Sequence, residues 1–224
     1  MTIAKGPYAD ALTVVMLVLA PALIFSSMSQ ESGASAAELG DVNIGFYALG
    51  SWPRNEPIFN QGTVVPASVN SGFGGGAKVG LFPHFTNRMI GLEIDSNGHS
   101  GAISFPNTAN GQNAGTGQSN LVVLSTTVNL ILRYPGEVVL PYVGIGAGWS
   151  QGVLPSPDIV GRSDQDFETA NAFGYQFLAG TQVMLSRKIF LFGEYRYFSA
   201  NYHWESLALD FRAHYGLAGF GLRF

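Results

Sequence analysis

The sequence has 224 residues, of which 46% are hydrophobic and only 12% are charged, with a formal net charge of −4 and no cysteine. The charged share is about half of the roughly 25% found in soluble domains. Basic residues are not in excess, so nothing indicates a nucleic acid as partner. The absence of cysteine excludes disulfides, iron–sulfur clusters held by cysteine and haem-thiolate ligation.

The first 36 residues have the organisation of a targeting segment. A weakly basic start at Lys5 precedes the apolar stretch 11–25, and the small residues of a cleavage site follow. A membrane anchor is the alternative, but Pro21 interrupts the apolar run and small polar residues come after it. We therefore expect a signal peptide over residues 1–36 and a single domain over 37–224.

Beyond this segment no apolar run reaches the ~20 residues that a membrane helix needs. Eight segments instead alternate apolar and polar side chains with a period of two, which is the pattern of a two-faced strand. In chain order they are 41–52, 73–82, 88–96 with an alternative end at His99, 120–134, 139–151, 171–185, 189–202 and 211–224.

The connections between these segments alternate between long and short. Tight turns are predicted at 83–87, 135–136 and 186–188, and long loops rich in Gly, Asn, Ser, Pro and Asp at 53–72, 100–119, 152–170 and 203–210. Three unstructured loops of this length would count against a compact soluble domain. An outer-membrane barrel has this alternation, with short periplasmic turns and long extracellular loops.

The last predicted strand has one apolar face that ends in a bare aromatic residue. Ala218, Phe220, Leu222 and Phe224 lie on this face, opposite Arg223. A soluble edge strand of this kind would invite aggregation, although an ordinary sandwich strand remains the alternative. The pattern resembles the C-terminal signal by which outer-membrane barrels are recognised, which implies the barrel assembly machinery as a partner.

Further segments carry a resemblance to a known group. Residues 141–148 (PYVGIGAG), 174–180 (GYQFLAG), 192–197 (FGEYRY) and the final Gly-Leu-Arg-Phe resemble the opacity-protein and OmpA-like group of small barrels. The resemblance implies an all-β fold, an eight-stranded antiparallel up-and-down barrel in the outer membrane of a Gram-negative bacterium. Its partners would be outer-membrane lipid and lipopolysaccharide.

The inward faces of the predicted strands carry opposite charges. An eight-stranded barrel is just wide enough to be filled by side chains, so an open pore is not expected. Charges inside it must pair and gain further hydrogen bonds. The inward charges are Lys78, Glu93, Asp95, Arg133, Glu194, Arg196 and Arg223, which predict a structural salt-bridge network that plugs the barrel.

One inward series also predicts a metal site near the outer rim. Glu93, Asp95 and His99 share a face, and Glu205 from the fourth loop would lie at the same end. Carboxylates with an imidazole suit a divalent cation such as manganese or magnesium. The alternative is that Asn97-Gly98 forms a turn and that His99 begins a loop.

The function has two interpretations. A Tyr-containing first strand with its loop (46–54), Pro141 to Gly144, His214 and the closing Gly-Leu-Arg-Phe look like the rhizobial lipid A oxidase group. This resemblance implies oxygen-dependent oxidation of the proximal glucosamine of lipid A to aminogluconate. The alternative is a non-enzymatic OmpA-like or opacity-like surface protein for envelope integrity or adhesion.

No catalytic motif is carried over with that resemblance, so candidate residues come from their chemistry and position alone. His214 falls on the lipid side by parity, near the outer edge of the last strand, unless a β-bulge reverses it. The His-x-Ser pair of lipid A deacylases is missing, because His99 is followed directly by a serine. The candidate catalytic residues are Glu93, Asp95, His99, His203 and His214.

Overall fold

The computed structural model describes residues 40–56, 58–60, 63–65, 68–109, 112–154, 168–204 and 207–224. The predicted signal peptide lies outside these residues, so its existence stays a prediction. Within the described residues, no helix is both long enough and apolar enough to cross a membrane.

In these described ranges, eleven strands form one sheet. They are β1 (Gly40–Pro53), β2 (Ile58–Asn60), β3 (Thr63–Val65), β4 (Ser68–Val69), β5 (Gly72–Pro83), β6 (Ile90–Ala109), β7 (Gln112–Arg133), β8 (Val139–Leu154), β9 (Glu168–Met184), β10 (Ile189–His203) and β11 (Leu207–Arg223). The eight long strands correspond to the eight predicted segments. The three short strands all lie in the first long connection.

The long strands form an antiparallel meander that closes on itself. β1 pairs with β5 on one side and with β11 on the other, in a register that runs from Asn43 opposite Arg223 to Pro53 opposite Ala213. Because closure pairs both edges, no long strand is left open along this seam. The predicted eight-stranded up-and-down barrel is confirmed.

Side chains alternate between a buried interior and an apolar outward wall. Leu92, Val128 and Ile145 point outward and are more than half exposed, at 59%, 54% and 55%. Their neighbours Glu93 and Asn129 point inward and are buried. The inward and outward assignments made from the period-two pattern are therefore correct for these strands.

The three tight turns lie at one end of the barrel, where they join β5 to β6, β7 to β8 and β9 to β10. The first contains a short 3₁₀ turn at His84–Thr86, followed by two residues with left-handed backbone, Asn87 (φ 52°) and Arg88 (φ 61°). Asn adopts this conformation readily, whereas a residue such as Arg rarely does.

The prediction that residues 100–119 form an irregular loop was wrong, because these residues lie largely in strands β6 and β7. β6 and β7 stay paired up to Ala109 opposite Gln112, with one register shift between Pro106 and Thr108. His99 therefore lies within β6 and does not begin a loop. β7 pairs with β8 only from Val122 onward, so the outer part of the β6–β7 hairpin extends past that neighbour.

The other long connections are shorter than predicted. β8 continues to Leu154 and β9 begins at Glu168, so only the middle of the third loop falls outside the described residues. β11 begins at Leu207 and shortens the fourth loop. In the first connection, Val69 of β4 pairs with Ile103 of β6 and is buried in the apolar cluster.

Candidate functional site

The inner half of the barrel lumen holds a network of five charged side chains. Lys78 lies on β5 and Glu93 and Asp95 lie on the adjacent strand β6, while Glu194 and Arg196 reach them across the lumen from β10. Lys78 Nζ lies 2.7 Å from Glu194 Oε2 and 3.4 Å from Glu93 Oε2. The Arg196 guanidinium lies 2.9 Å from Asp95 and 2.6 Å from Glu194. The predicted pairing of inward charges is confirmed for these five residues.

Neutral groups complete the network, because three carboxylates face only two cations. The Tyr47 hydroxyl donates to Asp95 at 2.9 Å, and the Tyr142 hydroxyl donates to Glu194 at 2.7 Å. The amide of Asn129 donates to Glu93 at 3.2 Å. In a lumen without bulk water such added donors are what make the buried charges tolerable.

The predicted metal ligands are already engaged. Asp95, which is fully buried, accepts hydrogen bonds from Arg196, Tyr47 and Asn97. Since Lys78 and Asn129 hold Glu93 in the same way, the carboxylate oxygens that a cation would need are directed at protein donors. A divalent cation bound by Glu93 and Asp95 does not fit this arrangement.

His99 lies apart from these carboxylates. Its Nε2 is 2.9 Å from the Tyr215 hydroxyl, and its ring stacks on Phe211 at 6.0 Å between centroids. His203 is exposed at the end of β10, and Glu205 lies outside the described residues. Among the residues that the structure describes, no three His, Asp or Glu side chains converge as a metal site.

The outer half of the lumen is filled by apolar and aromatic side chains, a feature that the sequence reasoning missed. Trp204 donates its indole N–H to the Gly152 carbonyl at 3.1 Å and packs against Tyr202, with 5.5 Å between ring centroids. The other large members of this outer apolar plug are Leu49, Ile103, Leu121, Val123, Leu154, Phe198, Leu209, Phe211 and Tyr215. Together with the ion network, the plug fills the lumen between the described strands.

His214 lies on the outward wall, as its parity predicts. Its Nδ1 is 2.6 Å from the Tyr195 hydroxyl, and its ring centroid is 5.5 Å from that of Tyr197. Strand register creates this contact. His214 of β11 lies opposite Tyr197 of β10, and Tyr195 lies opposite Gly216, two residues away on the same face of the sheet. The sequence identified His214 but not its two tyrosine partners.

A shallow groove of about 630 Å³ adjoins this histidine. Its outward lining is formed by small residues, Ala48 and Gly50 of β1 opposite Ala218 and Gly216 of β11, with Trp52 and Phe73 at its sides. We call these six residues and the Tyr195–His214 pair the wall groove. It combines an apolar floor with a polar end.

Trp52 rests on bare backbone at the polar end of the wall groove. A Cβ added to Gly50 or Gly216 would come within 3.0 or 3.1 Å of the Trp52 ring, which is tighter than ordinary packing allows. Trp52 also lies opposite His214 in the β1–β11 register. The two glycines therefore set the position of the indole beside the histidine.

The closed meander, the apolar outward wall and the filled lumen agree with the sequence comparison. The model of a family described as the outer membrane protein beta-barrel domain matches residues 17–224. The chain belongs to this family. This outer-membrane β-barrel is located in the outer membrane of a Gram-negative bacterium, where its apolar outward wall faces the lipid.

Solved structures share the fold at low sequence identity. Neisserial surface protein A (NspA) is 15% identical with a TM-score of 0.53, over 83% of this chain and 99% of that one. The outer membrane protein AlkL is 13% identical with a TM-score of 0.50, over 84% and 91%. Ail of Yersinia pestis is 16% identical with a TM-score of 0.44, over 83% and 99%. No curated protein matches the chain.

Orientation follows from the family. Outer-membrane barrels have their short turns on the periplasmic side and their long loops outside the cell. We infer that the short turns of this chain, which follow β5, β7 and β9, face the periplasm. In this orientation the ion network would occupy the periplasmic half of the lumen and the apolar plug the outer half. His214 and Trp52, near the loop end of β11 and β1, would lie on the side of the outer leaflet.

Proposed function

We propose that this barrel acts on lipopolysaccharide in the outer leaflet, and that its specific activity is the oxygen-dependent oxidation of the proximal glucosamine of lipid A to aminogluconate. The observation that carries this proposal is the wall groove, an apolar surface depression lined by Trp52 and Gly216, whose strand partners His214 and Tyr195 are hydrogen-bonded to each other. Resemblance to the lipid A oxidase group supports the same assignment.

The wall groove suits an amphiphile better than a soluble substrate. Lipid A joins acyl chains to a glucosamine head group, and the groove likewise joins the apolar floor of Ala48 and Ala218 to the polar pair Tyr195 and His214. The filled lumen supports this reading, because a lipid could not reach Glu93 or Asp95 without displacing the outer apolar plug. The substrate would therefore meet the protein on its wall.

The reaction assigns a definite task to the histidine. The proximal sugar of 1-dephosphorylated lipid A carries a free hemiacetal at C1, which loses two electrons and two protons to oxygen and forms a lactone and hydrogen peroxide. Hydrolysis of the lactone gives the aminogluconate. If Nδ1–H of His214 donates to the Tyr195 hydroxyl, Nε2 is free to accept the C1 hydroxyl proton as a general base.

The electron path to oxygen is the demanding step, since side chains alone rarely reduce oxygen. Manganese or magnesium was expected at Glu93, Asp95 and His99, whose present contacts do not fit it. The proposal includes a divalent cation bound at another position. Adding a chelator tests this requirement separately from the oxidation itself.

The experiment uses the barrel purified from outer membranes in detergent. The protein is incubated with 1-dephosphorylated lipid A in air and in argon, with and without chelator, and the product mass and hydrogen peroxide are followed. We expect a gain of one oxygen atom and formation of peroxide in air only. An unchanged lipid under every condition, with a barrel that keeps its heat-modifiable gel mobility, would contradict the oxidase proposal.

A second candidate is a non-enzymatic surface protein for adhesion or envelope integrity. The outer part of the β6–β7 hairpin favours it, because this segment extends past the last β7–β8 pair at Val122 and Val153 and presents paired strands beyond the barrel wall. Deleting residues 104–118 would weaken attachment of whole cells under this proposal, and it would leave lipid A oxidation unchanged under the first.

A further inference from the structure

A cluster of arginines surrounds a single aspartate at the periplasmic end of the lumen. Asp41 of β1 lies 3.1 Å from Arg88 Nε, 3.7 Å from Arg133 Nη2 and 3.7 Å from Arg223 Nε. His84 Nε2 is also 3.7 Å from Asp41. We call Asp41, Arg88, Arg133 and Arg223 the basal cluster. Among the side chains that the structure describes here, three guanidiniums against one carboxylate give an excess of two positive charges.

The fold holds these cations in place. Arg133 ends β7, is 1% exposed, stacks 3.6 Å above the Phe82 ring and donates to Gln182 at 3.3 Å. Arg88 reaches Asp41 from the first tight turn, where its own backbone adopts φ 61°. A non-glycine residue in that region costs conformational energy, so the turn keeps Arg88 over the lumen at some expense.

Several buried donors of the basal cluster make no hydrogen bond in the described part of the chain. They are Nε of Arg133 and both Nε and Nη2 of Arg223. Nε of Arg223 lies at ion-pair distance from Oδ2 of Asp41, 3.7 Å, without a hydrogen bond between them. In the ion network above, by contrast, Lys78 and Arg196 each contact two carboxylates. The lower cluster thus has unused guanidinium donors and excess positive charge together.

We propose that the basal cluster is a binding site for an oxyanion, a phosphate group that enters from the periplasmic side. Guanidinium groups bind phosphate through paired N–H donors, and three of them around one opening offer more donors than Asp41 can accept. The anion neutralises the charge that Asp41 leaves uncompensated. This site lies at the opposite end of the barrel from the wall groove and does not depend on the oxidase proposal.

The test measures binding of inorganic phosphate by calorimetry to the full-length protein extracted from outer membranes in a zwitterionic detergent. The variants are Arg88→Gln, Arg223→Gln and their combination. Arg88 and Arg223 are chosen because they lie at the rim, with side chains 53% and 18% exposed, whereas removing Arg133 would disturb packing on Phe82. Arg187→Gln and Lys188→Gln, exposed cations of another tight turn, are the matched controls.

We expect saturable phosphate binding by the unmodified protein and both controls, about tenfold or more weaker binding in each single variant, and none in the double variant. Heat-modifiable gel mobility reports that each variant is folded. No saturable binding by the unmodified protein, or equal binding by the double variant, overturns the proposal.

Two further arms identify the source of the anion. Phosphatidylglycerol added to the micelles displaces phosphate if a lipid head group is the natural ligand. It leaves phosphate bound if the natural ligand is soluble. Both results require the anion site and differ only in the source of the anion. The sequence also places Glu38 shortly before β1. Phosphate binding by Glu38→Gln but not by the unmodified protein would mean that the chain supplies its own anion, which overturns the proposal of an external ligand.

Discussion

Asp95 and Arg196 show how a single residue pair is retained inside a membrane protein. Both are fully buried, and the carboxylate receives two guanidinium N–H groups at 2.9 and 3.1 Å. Removing one member of such a pair leaves buried donors or acceptors of its partner unsatisfied, which costs more than the pair contributes when intact. The two residues therefore act as structural parts of the lumen.

This role predicts the outcome of replacing Asp95 by Ala. The change should lower the free energy of unfolding by roughly 1–3 kcal/mol for each buried donor left without an acceptor, because Tyr47, Asn97 and Arg196 all donate to Asp95. Arg196 keeps its ion pair with Glu194. Urea titration in detergent, read by heat-modifiable gel mobility, measures this loss of stability. Asp210→Ala, an exposed outward residue on β11, is the control and should change stability little. A fully stable Asp95→Ala barrel that has lost lipid A oxidation would instead make Asp95 a catalytic residue.

His214 on the outward wall and the exposed His203 allow a matched test of the wall groove. His214→Ala should reduce lipid A oxidation by about 10²–10⁴-fold, the usual contribution of a general base. His203→Ala, at the end of β10, should leave the rate unchanged. Tyr195→Phe removes the hydroxyl partner of His214 and should lower the rate less than loss of the ring itself. Equal activity of the His214→Ala variant and the unmodified protein would remove the histidine from the mechanism.

Much of the residue-level arrangement could be predicted from parity alone. A period of two places Glu93 and Asp95 inside and His214 outside, and each is found there. The specific partners could not be predicted, since the Tyr195–His214 and Tyr47–Asp95 contacts depend on the register between strands far apart in sequence. This missing register is also why a metal site was expected where Arg196 and Lys78 now occupy the carboxylates.

At the scale of elements, the β6–β7 hairpin is the largest departure from expectation. Residues 100–119 are rich in Gly, Asn and Ser, a composition typical of loops. They form strands because each backbone finds a continuous partner in the other, up to Ala109 and Gln112. Cross-strand pairing thus overrides local composition, and a reading of single segments does not detect it.

The β1–β11 seam makes a prediction about the wall groove as an element. Gly216→Val adds a β-branched side chain that strands accept. Its Cβ would lie 3.1 Å from the Trp52 ring, so the indole must shift. We expect a folded barrel with a raised KM for lipid A, because the indole and the groove floor are displaced. Ala147→Val on the outward face of β8 adds similar bulk away from the groove and should leave KM unchanged. Steady-state kinetics in detergent micelles measures KM for both variants. An unchanged KM for Gly216→Val would contradict the binding of lipid A in the wall groove.

For the whole molecule, the filling of the lumen predicts the absence of conductance. The ion network and the outer apolar plug lie one above the other, so opening one still leaves the other. Protein reconstituted into liposomes should therefore not accelerate swelling in small sugars, and Glu194→Ala should not change this despite its lower stability. Sugar-dependent swelling above that of empty liposomes would show a continuous aqueous path.

The global architecture was the most predictable level. Closure follows from eight two-faced segments, because antiparallel neighbours joined by tight turns bury all polar backbone groups only when the first and last strands meet. The division of the lumen into a charged and an apolar half was not predicted. The period-two pattern places Leu49, Phe211 and Tyr215 on the inward face, which could have indicated the apolar half. The prediction did not distinguish inward apolar residues from those of the outward wall.

The protruding hairpin has a consequence for how the cell presents this protein. β7 extends from Val122, its last residue paired with β8, to Gln112. At ~3.3 Å per residue this length is about 30 Å along the strand, and the strand tilt reduces the height above the barrel wall. An antibody or a bacteriophage that approaches through the surface carbohydrate would meet this two-stranded hairpin first. Immune recognition and phage resistance would then select for changes in residues 104–118, while the wall below is constrained by the membrane.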